Sequence, residues 1–224
     1  YISDILERNR INLDKSVLDD LLNIISSSVG SLTNSGKIAR TFKSERQTTI
    51  TSSTVSKYLD FFIDAFLIYK AERYDVKGRK YIGSPLKYYF SDIGLRNARL
   101  NFRQQEENHI MENIIFNELI YRGFAVDVGI VELNYKDDEN KSKRTWLEID
   151  FVASDGNRKY YIQSALTVGD EEKRMQEIRS LNHIGDSFKK IVVVKDDIVP
   201  WHDEQGILYM GIEKFLLDET AIDY

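Results

Sequence analysis

The residues with the clearest potential for chemistry lie on a predicted β-hairpin between Thr145 and Leu166. Two β-rich runs, TWLEIDFVAS and KYYIQSAL, flank the tight connection DGNR, and this pattern is typical of a hairpin. Apolar residues of the first run are interleaved with Glu148 and Asp150, so we expect one apolar face and one face of carboxylates. A hairpin places Asp150 beside Gln163 on the neighbouring strand. Oxygen ligands of this kind hold hard divalent cations such as Mg²⁺ or Mn²⁺.

This layout resembles the core of the PD-(D/E)XK nuclease superfamily. In that core an Asp ends one strand, and a Glu or Asp lies two residues before a Lys on the next. Asp150 fits the first position, but the second motif reads Gln163-Ser164-Ala165. The missing Lys would steady the attacking water and the charge that develops on the scissile phosphate. The sequence therefore predicts a nuclease-like domain whose cleft is degenerate and inactive.

The composition is that of an ordinary soluble protein of one large or two small domains, with 224 residues, 42% of them hydrophobic and 30% charged. The chain has no Cys, which excludes disulfides and thiolate metal sites and suits a reducing cytoplasm. No signal peptide is visible, and no apolar run approaches the roughly 18 residues of a membrane span. We therefore predict a cytoplasmic protein with no membrane partner. Because the chain begins at Tyr1 rather than Met, we expect it to be a fragment.

The first half predicts three helices followed by a β-ribbon. The helices are expected over residues 14–28, capped by Asp14, over about 37–43, and from Thr51 onward, with Thr51 or Ser52 as the N-cap of this third helix. Strands follow across residues 67–90, with a turn at residues 77–79. This order, with a basic ribbon tip, is that of a winged helix-turn-helix, in which the third helix enters the major groove and the wing contacts the DNA backbone.

Charge supports a polyanionic partner for this half. Residues 1–104 hold 17 Lys and Arg against 11 Asp and Glu, whereas residues 105–224 hold 14 against 25. The predicted contacts to the phosphates of double-stranded DNA are Ser52, Ser53, Ser56 and Lys57 on the third helix and Arg73, Lys77, Arg79 and Lys80 on the wing. The alternative is a protein-docking module, because Asp60 and Asp64 on the same helix would repel phosphate.

The second half predicts a helix over residues 108–122, ended by Gly123, and then a strand FAVDVGIVEL. A loop KDDENKSK, expected to be mobile, precedes the hairpin. A helix over about 171–181, strands at 191–194 and 207–210, and a terminal helix around Phe215 complete the chain. We therefore predict an α+β protein with a winged-helix domain over residues 1–104 and a restriction-endonuclease-like αβββαβ domain over residues 105–224.

One segment imitates a nucleotide-binding loop. Residues 30–37, GSLTNSGK, resemble the G-x-x-x-x-G-K-[ST] phosphate loop, but five residues separate the glycines, and Ile38 stands where the Mg²⁺-binding hydroxyl belongs. We interpret this segment as the turn between two helices.

A set of short motifs, each weak alone, is similar in order and spacing to the C-terminal region of a family of prokaryotic AAA-type ATPases. These proteins join an ATPase domain to a winged helix and a restriction-endonuclease-like domain. The motifs are Tyr58-Leu59-Asp60, Ala65-Phe66-Leu67-Ile68-Tyr69, Lys87-Tyr88-Tyr89-Phe90-Ser91-Asp92-Ile93-Gly94-Leu95-Arg96-Asn97, His109-Ile110-Met111-Glu112-Asn113, Glu118-Leu119, Arg122-Gly123-Phe124, Glu148-Ile149-Asp150-Phe151-Val152 and Tyr161-Ile162-Gln163. The resemblance implies an upstream ATPase domain as partner, and ATP bound only there.

The resemblance also implies a role for Glu112. Archaeal Holliday-junction resolvases of the same superfamily carry a metal-binding Glu on the first helix at a similar distance from its end, and Glu112 lies eleven residues before Gly123. Glu112 and Asp150 would then form a residual acidic pair joined by Gln163. Since the neutral Gln supplies an oxygen without charge, metal affinity should be low. Lys173 from the following helix is an alternative source of the missing cation.

Three functions are consistent with these patterns. The first is an accessory region of an ATPase, with a DNA-binding winged helix and an inactive nuclease-like domain. The second is a divalent-metal-dependent DNA nuclease using Glu112 and Asp150. The third is a protein–protein or oligomerisation module of the ATPase.

Overall fold

The structure, a computed structural model, describes Glu7 and residues 15–46, 49–103, 106–136 and 140–224. Within these ranges the protein is mixed α/β, with eight α-helices and one eight-stranded sheet, which confirms the α+β class. The predicted cap Asp14 and residues 137–139 of the predicted mobile loop lie outside the described residues.

In chain order the elements are α1 (Lys15–Ser27), α2 (Ser35–Arg46), α3 (Ser52–Asp64), β1 (Ile68–Asp75), β2 (Lys80–Phe90), α4 (Ile93–Arg99), α5 (Glu107–Tyr121), β3 (Ala125–Lys136), β4 (Ser142–Asp155), β5 (Arg158–Ala165), α6 (Glu171–Glu177), α7 (Arg179–Asn182), β6 (Lys189–Val194), β7 (Trp201–His202), β8 (Leu208–Gly211) and α8 (Ile212–Leu217).

The chain divides into two compact units, residues 1–71 with 84–113 and residues 72–83 with 114–224. These units differ from the predicted domains, 1–104 and 105–224, in two places. Residues 105–113, with Glu112, fall in the first unit, and the tip of the β1–β2 hairpin, which we define as residues 72–83, falls in the second. The tip belongs to the second unit because β1 pairs in parallel with β3, through Arg73 opposite Val128 and Asp75 opposite Ile130.

The helices of the first unit form where apolar residues recur at helical spacing. On α1 this stripe includes Leu18, Leu21 and Ile25, all fully buried. The third helix, α3, is preceded by Thr51, whose hydroxyl accepts a hydrogen bond from the Thr54 N–H at 3.1 Å. Thr51 is therefore the N-cap, one of the two residues predicted for that role.

The segment that imitates a phosphate loop lies at the connection between α1 and α2, as predicted, and its last three residues form the start of α2. Within it, the Asn34 side-chain oxygen accepts a hydrogen bond from the Lys37 N–H at 2.8 Å and so caps α2. Thr33 forms a two-way backbone bridge with Leu86 of β2, at 2.8 Å in each direction. The backbone N–H groups of Thr33 and Lys37 therefore donate hydrogen bonds to other residues of the protein.

The sheet has the strand order β2-β1-β3-β4-β5-β6-β8-β7. Strand β4 is antiparallel to both β3 and β5, and β6 is parallel to both β5 and β8. The order α5-β3-β4-β5-α6-β6 follows the predicted sequence of elements. The helix predicted over residues 171–181 is in fact two short helices, α6 and α7, which divide at Ile178.

The alternation predicted for β4 is wrong at its centre. Ile149, Phe151, Val152 and Ala153 are all at most 1% exposed, and Asp150 is 9% exposed. Neighbouring residues of a strand point to opposite faces, so both faces of the sheet are covered here. Asp150 therefore lies in an interior, where its carboxylate needs hydrogen-bond partners.

No helix within the described ranges is long and apolar enough to cross a membrane.

Candidate functional site

Asp150 and Gln163 meet where β4 and β5 separate. The regular pairing of these strands ends at Phe151 opposite Ile162. Beyond it, Asp150 Oδ2 accepts a hydrogen bond from the Ser164 N–H at 2.8 Å, and Gln163 Oε1 accepts one from the Asp150 N–H at 3.4 Å. The side-by-side placement predicted from the hairpin is confirmed. In this arrangement the two side chains bind backbone groups that the ladder no longer pairs.

A register shift accompanies this separation. Asp127 of β3 lies opposite Val152, and Gly129 lies opposite Ile149, so β4 has one more residue than β3 between these pairs. A β-carbon on Gly129 would come within 2.8 Å of Val152 Cγ2, and the close packing of the strands therefore requires glycine. Such bulges bend a strand and redirect side chains, and they are frequent beside active sites.

Glu112 belongs to the first unit, where it forms a buried ion pair. Its Oε1 accepts hydrogen bonds from Lys87 Nζ at 2.8 Å and from the Tyr89 hydroxyl at 2.6 Å. The exposed fractions of Glu112, Lys87 and Tyr89 are 8%, 3% and 0%. Charge-assisted bonds of this kind offset the cost of removing the carboxylate from water. No local pattern predicts this pair, because Lys87 and Glu112 lie 25 residues apart on different elements.

Glu112 also lies beside His109, which shares its face of α5. A β-carbon on Gly30 would be 3.3 Å from Glu112 Oε2 and 3.2 Å from His109 Nδ1. Gly30 adopts a φ of 69°, a conformation that favours glycine. His109 Nε2 is 3.7 Å from a Glu106 carboxylate oxygen. The spacing of His109 and Glu112, three residues apart on a helix, could have revealed their proximity from the sequence.

The side-chain oxygens of Glu112, Asp150 and Gln163 do not fit a catalytic Mg²⁺ or Mn²⁺ site. One Asp150 oxygen is bound by a backbone N–H, Gln163 carries no charge, and the Glu112 carboxylate is already paired with Lys87. In the part of the chain that the structure describes, no group of three or more His, Cys, Asp or Glu residues could hold a metal ion. Lys173, the alternative cation, is exposed on α6.

The residues predicted on the third helix form an exposed polar face. Ser52, Ser53, Ser56 and Lys57 are all exposed at the start of α3, and the first turn of this helix contains no acidic residue. On the preceding helix α2, exposed cations recur every three residues, at Lys37, Arg40 and Lys43. Together we call these seven residues the α2–α3 face.

The predicted acidic interruption is present further along α3. Asp60 and Asp64 are both exposed. Burial and, to a lesser extent, the charge of Asp60 raise the pKa of Tyr88 to about 12. Both carboxylates therefore lie beyond the first turn of α3, and Asp60 is close enough to Tyr88 of the same unit to affect its pKa.

The hairpin tip is attached to β3 of the second unit. Lys77 Nζ donates a hydrogen bond to the Glu132 carbonyl oxygen at 2.9 Å, and the Tyr81 hydroxyl donates one to Asp127 Oδ2 at 3.0 Å. Arg73 is half-buried, while Arg79 and Lys80 are exposed. Four residues were predicted as wing contacts. In the part of the chain that the structure describes, only Arg79 and Lys80 of these four are both exposed and without a side-chain hydrogen bond.

Comparison with known proteins gives a partial match to one family. Residues 1–106 match the family model described as "Domain of unknown function (DUF8612)". An uncharacterized protein of Haemophilus influenzae is 35% identical over 192 residues, which are 86% of this chain and 44% of that protein. An uncharacterized protein of Methanocaldococcus jannaschii is 28% identical over 219 residues, which are 98% of this chain and 44% of that protein. The chain thus spans less than half the length of the curated relatives it matches.

Among solved structures, the crystal structure of protein VC1899 from Vibrio cholerae aligns with 95% of this chain and 50% of its own, at 12% identity and a TM-score of 0.31. A score this low does not establish a common fold.

Proposed function

We propose that this chain is an accessory region of an AAA-type ATPase that binds double-stranded DNA without sequence preference. In this proposal helices α1 to α3 of the first unit and the β1–β2 hairpin, whose tip belongs to the second unit, form a winged helix-turn-helix. The rest of the second unit is a nuclease-like domain that has lost its activity. The observation that carries the DNA-binding role is the α2–α3 face, in which three hydroxyls and four cations are exposed on consecutive helices.

The position of this face on α3 suits phosphate. The N-terminus of a helix carries a partial positive charge and N–H groups that point outward. Hydroxyls and one cation in the first turns of α3 add donors at the same place, and hydroxyl, Lys and backbone N–H groups are the usual ligands of DNA phosphates. The stripe on α2 suits the first helix of the motif, which crosses the DNA backbone.

The residue types also indicate that binding is independent of sequence. Base recognition in the major groove commonly uses the forked donors of Arg, Asn or Gln. From Ser52 to Asp64 the helix reads SSTVSKYLDFFID and contains none of these residues. The face can therefore position a duplex through its backbone, and its affinity should depend strongly on salt.

The proposal of a degenerate nuclease-like second unit rests on the β4–β5 junction. The element order and the adjacency of Asp150 and Gln163 agree with the superfamily core. Two features support the loss of activity: Asp150 and Gln163 each accept a hydrogen bond from a backbone N–H group, and Ala165 stands where the superfamily has its phosphate-directed Lys.

The link to an ATPase rests on the motif resemblance and on length. More than half of each curated relative lies outside the region that matches this chain, which leaves room for another domain in those proteins. Sequencing the reading frame around this segment tests the link. We expect a G-x-x-x-x-G-K-[ST] loop upstream, and a complete frame without one would contradict the proposal.

DNA binding is tested by fluorescence anisotropy with a 20-base-pair duplex at several salt concentrations. Binding should weaken linearly on a logarithmic salt scale, and the double variant R40A/K57A should reduce the slope by about 2, because roughly one counterion is released per phosphate contact. The matched control K136A/K173A removes two exposed cations from the second unit and should leave the slope unchanged. Equal effects of both doubles, or no binding in low salt, would contradict the proposal.

Loss of nuclease activity is tested separately, by incubating the protein with supercoiled plasmid and Mn²⁺. We expect no nicking. Nicking that disappears in Asp150→Ala would instead support the metal-dependent nuclease.

A further inference from the structure

The second unit contains a cavity that neither the predicted cleft nor the DNA-binding role uses. It has a volume of about 500 Å³ and lies between α6 and the segment 201–205. This is within the usual size range of small-molecule sites. Its lining includes Glu171, Arg174, Met175, Trp201, Asp203 and Glu204.

The aromatic wall of this cavity is held rigidly. The indole of Trp201 stacks on the ring of Tyr209, with centroids 4.4 Å apart and planes at 7°. Tyr209 is fully buried, and its hydroxyl donates a hydrogen bond to Asp203 Oδ2 at 3.1 Å. Asp203 Oδ1 accepts two more, from the Gln205 and Ile207 N–H groups, each at 2.9 Å. The loop is thus fixed in place, and yet Trp201 remains 38% exposed.

The charge of the lining is negative. It contains three carboxylates against the single guanidinium of Arg174. Arg174 lies 3.9 Å from a Glu171 oxygen, so these two charges largely offset each other. The Asp203 carboxylate accepts three hydrogen bonds, and the side chain of Glu204 is exposed. The resulting potential favours a cation and disfavours a phosphate or carboxylate ligand.

The indole also favours a cation. Electron-rich ring faces attract ammonium and guanidinium groups within about 6 Å of the centroid. The guanidinium carbon of Arg174 already lies 5.8 Å from the Trp201 centroid, near the outer limit of that range. Met175, 45% exposed, adds a flexible thioether suited to an aliphatic chain.

From these observations we infer that this cavity, defined by Trp201, Glu171 and Glu204, binds an organic cation, an amine or guanidinium group on an aliphatic stem. Arg174 occupies part of the site and is displaced when the cation binds. The cation is either a free amine or an Arg or Lys side chain of another protein.

The test uses indole fluorescence, because the chain contains only two tryptophans. In the background Trp146→Phe, Trp201 is the sole reporter. Titration with agmatine should give a saturable change in emission, whereas adenosine monophosphate, an anion with an aromatic ring, should give none. Acetyl-Gly-Arg-Gly-amide distinguishes the sources: tighter binding than agmatine indicates a peptide ligand, and weaker binding indicates a free amine.

The sign of the Arg174 effect is decisive. Arg174→Met should tighten agmatine binding by about threefold, because it removes a competing cation from the ring. Glu204→Gln should weaken it by about threefold, and Glu172→Gln, on the same helix but outside the lining, should have no effect. Circular dichroism melts establish that each variant is folded. Binding of adenosine monophosphate that is lost in Arg174→Met, or no response to either cation by fluorescence and calorimetry, would overturn the inference.

Discussion

Glu112 and Asp150 are two carboxylates with nearly equal burial, 8% and 9% exposed, in different units and with different partners. Glu112 is paired with a buried cation, Lys87, and with a tyrosine hydroxyl. Asp150 binds the N–H group of Ser164 at the point where two strands separate. Burial alone therefore says little about the role of a carboxylate. That role depends on the groups to which the carboxylate is bound. A cation partner makes Glu112 part of the first unit's interior, whereas a backbone partner makes Asp150 a link between strands.

The largest effect is expected from Lys87→Met. This change leaves the buried Glu112 carboxylate without its cation, and the free energy of unfolding should fall by about 3–5 kcal/mol in urea titrations. The double variant Lys87→Met/Glu112→Leu should recover much of that loss, because it removes both charges. A loss below about 1 kcal/mol in the single variant would show that the pair has little structural role.

Tyr89→Phe should have the next largest effect. The hydroxyl of Tyr89 donates a bond of 2.6 Å to the Glu112 carboxylate, and hydrogen bonds to charged groups contribute about 1.5–3 kcal/mol. Urea unfolding should report a loss of that size. Tyr121→Phe, at a residue that is 80% exposed, is the matched control and should be neutral. Equal losses in both variants would point to a general effect of removing hydroxyls.

Asp150→Ala tests the strand link. It deprives the Ser164 N–H of its acceptor, and an unsatisfied backbone group in this half-buried position should cost about 1–3 kcal/mol. Amide hydrogen exchange at Ser164 should accelerate more than at the central strand β6. Asp150→Asn keeps an oxygen acceptor and should lose less. If the two variants were equally destabilising, the charge of the Asp150 carboxylate, and not its hydrogen bond to the Ser164 N–H, would account for the loss of stability.

Gln163→Glu should have the smallest effect on stability and the clearest effect on metal binding. A second carboxylate beside Asp150 adds a like-charge repulsion of about 1 kcal/mol at pH 7. It also provides the second charged ligand that a hard cation prefers. Millimolar Mn²⁺ should therefore raise the melting temperature of Gln163→Glu and leave the natural protein and the exposed control Gln176→Glu unchanged. An equal response in the natural protein would mean that Asp150 already binds metal.

Much of the fold could be predicted from local patterns. The apolar stripe of α1, the cap at Thr51 and the hairpin that joins β4 to β5 all depend on residues a few positions apart, and each was confirmed. The split of the predicted 171–181 helix was missed, because Ile178 continues the helical pattern and nothing in the local sequence marks a break. The buried centre of β4 was misjudged, because alternation cannot show that helices or loops cover the second face of a sheet.

The candidate sites divide in the same way. Asp150 and Gln163 could be placed together because a hairpin fixes which residues are neighbours. The attachment of the hairpin tip to β3 could not be foreseen, because Lys77 and Glu132 are 55 residues apart. The cavity beside Trp201 had no recognisable motif, since its walls come from α6 and from β7 with the residues that follow it, and folding alone brings these segments together.

The sequence by itself determined most of the helices and strands and that the second nuclease-like motif lacks its lysine, because these properties are carried by residue types and short spacings. Only the tertiary structure decided that Glu112 is neutralised by Lys87, that Asp150 binds a backbone group, and that Trp201 lines a cavity. Each of these depends on which distant segments pack together, and the free energy of packing is a property of the whole folded chain.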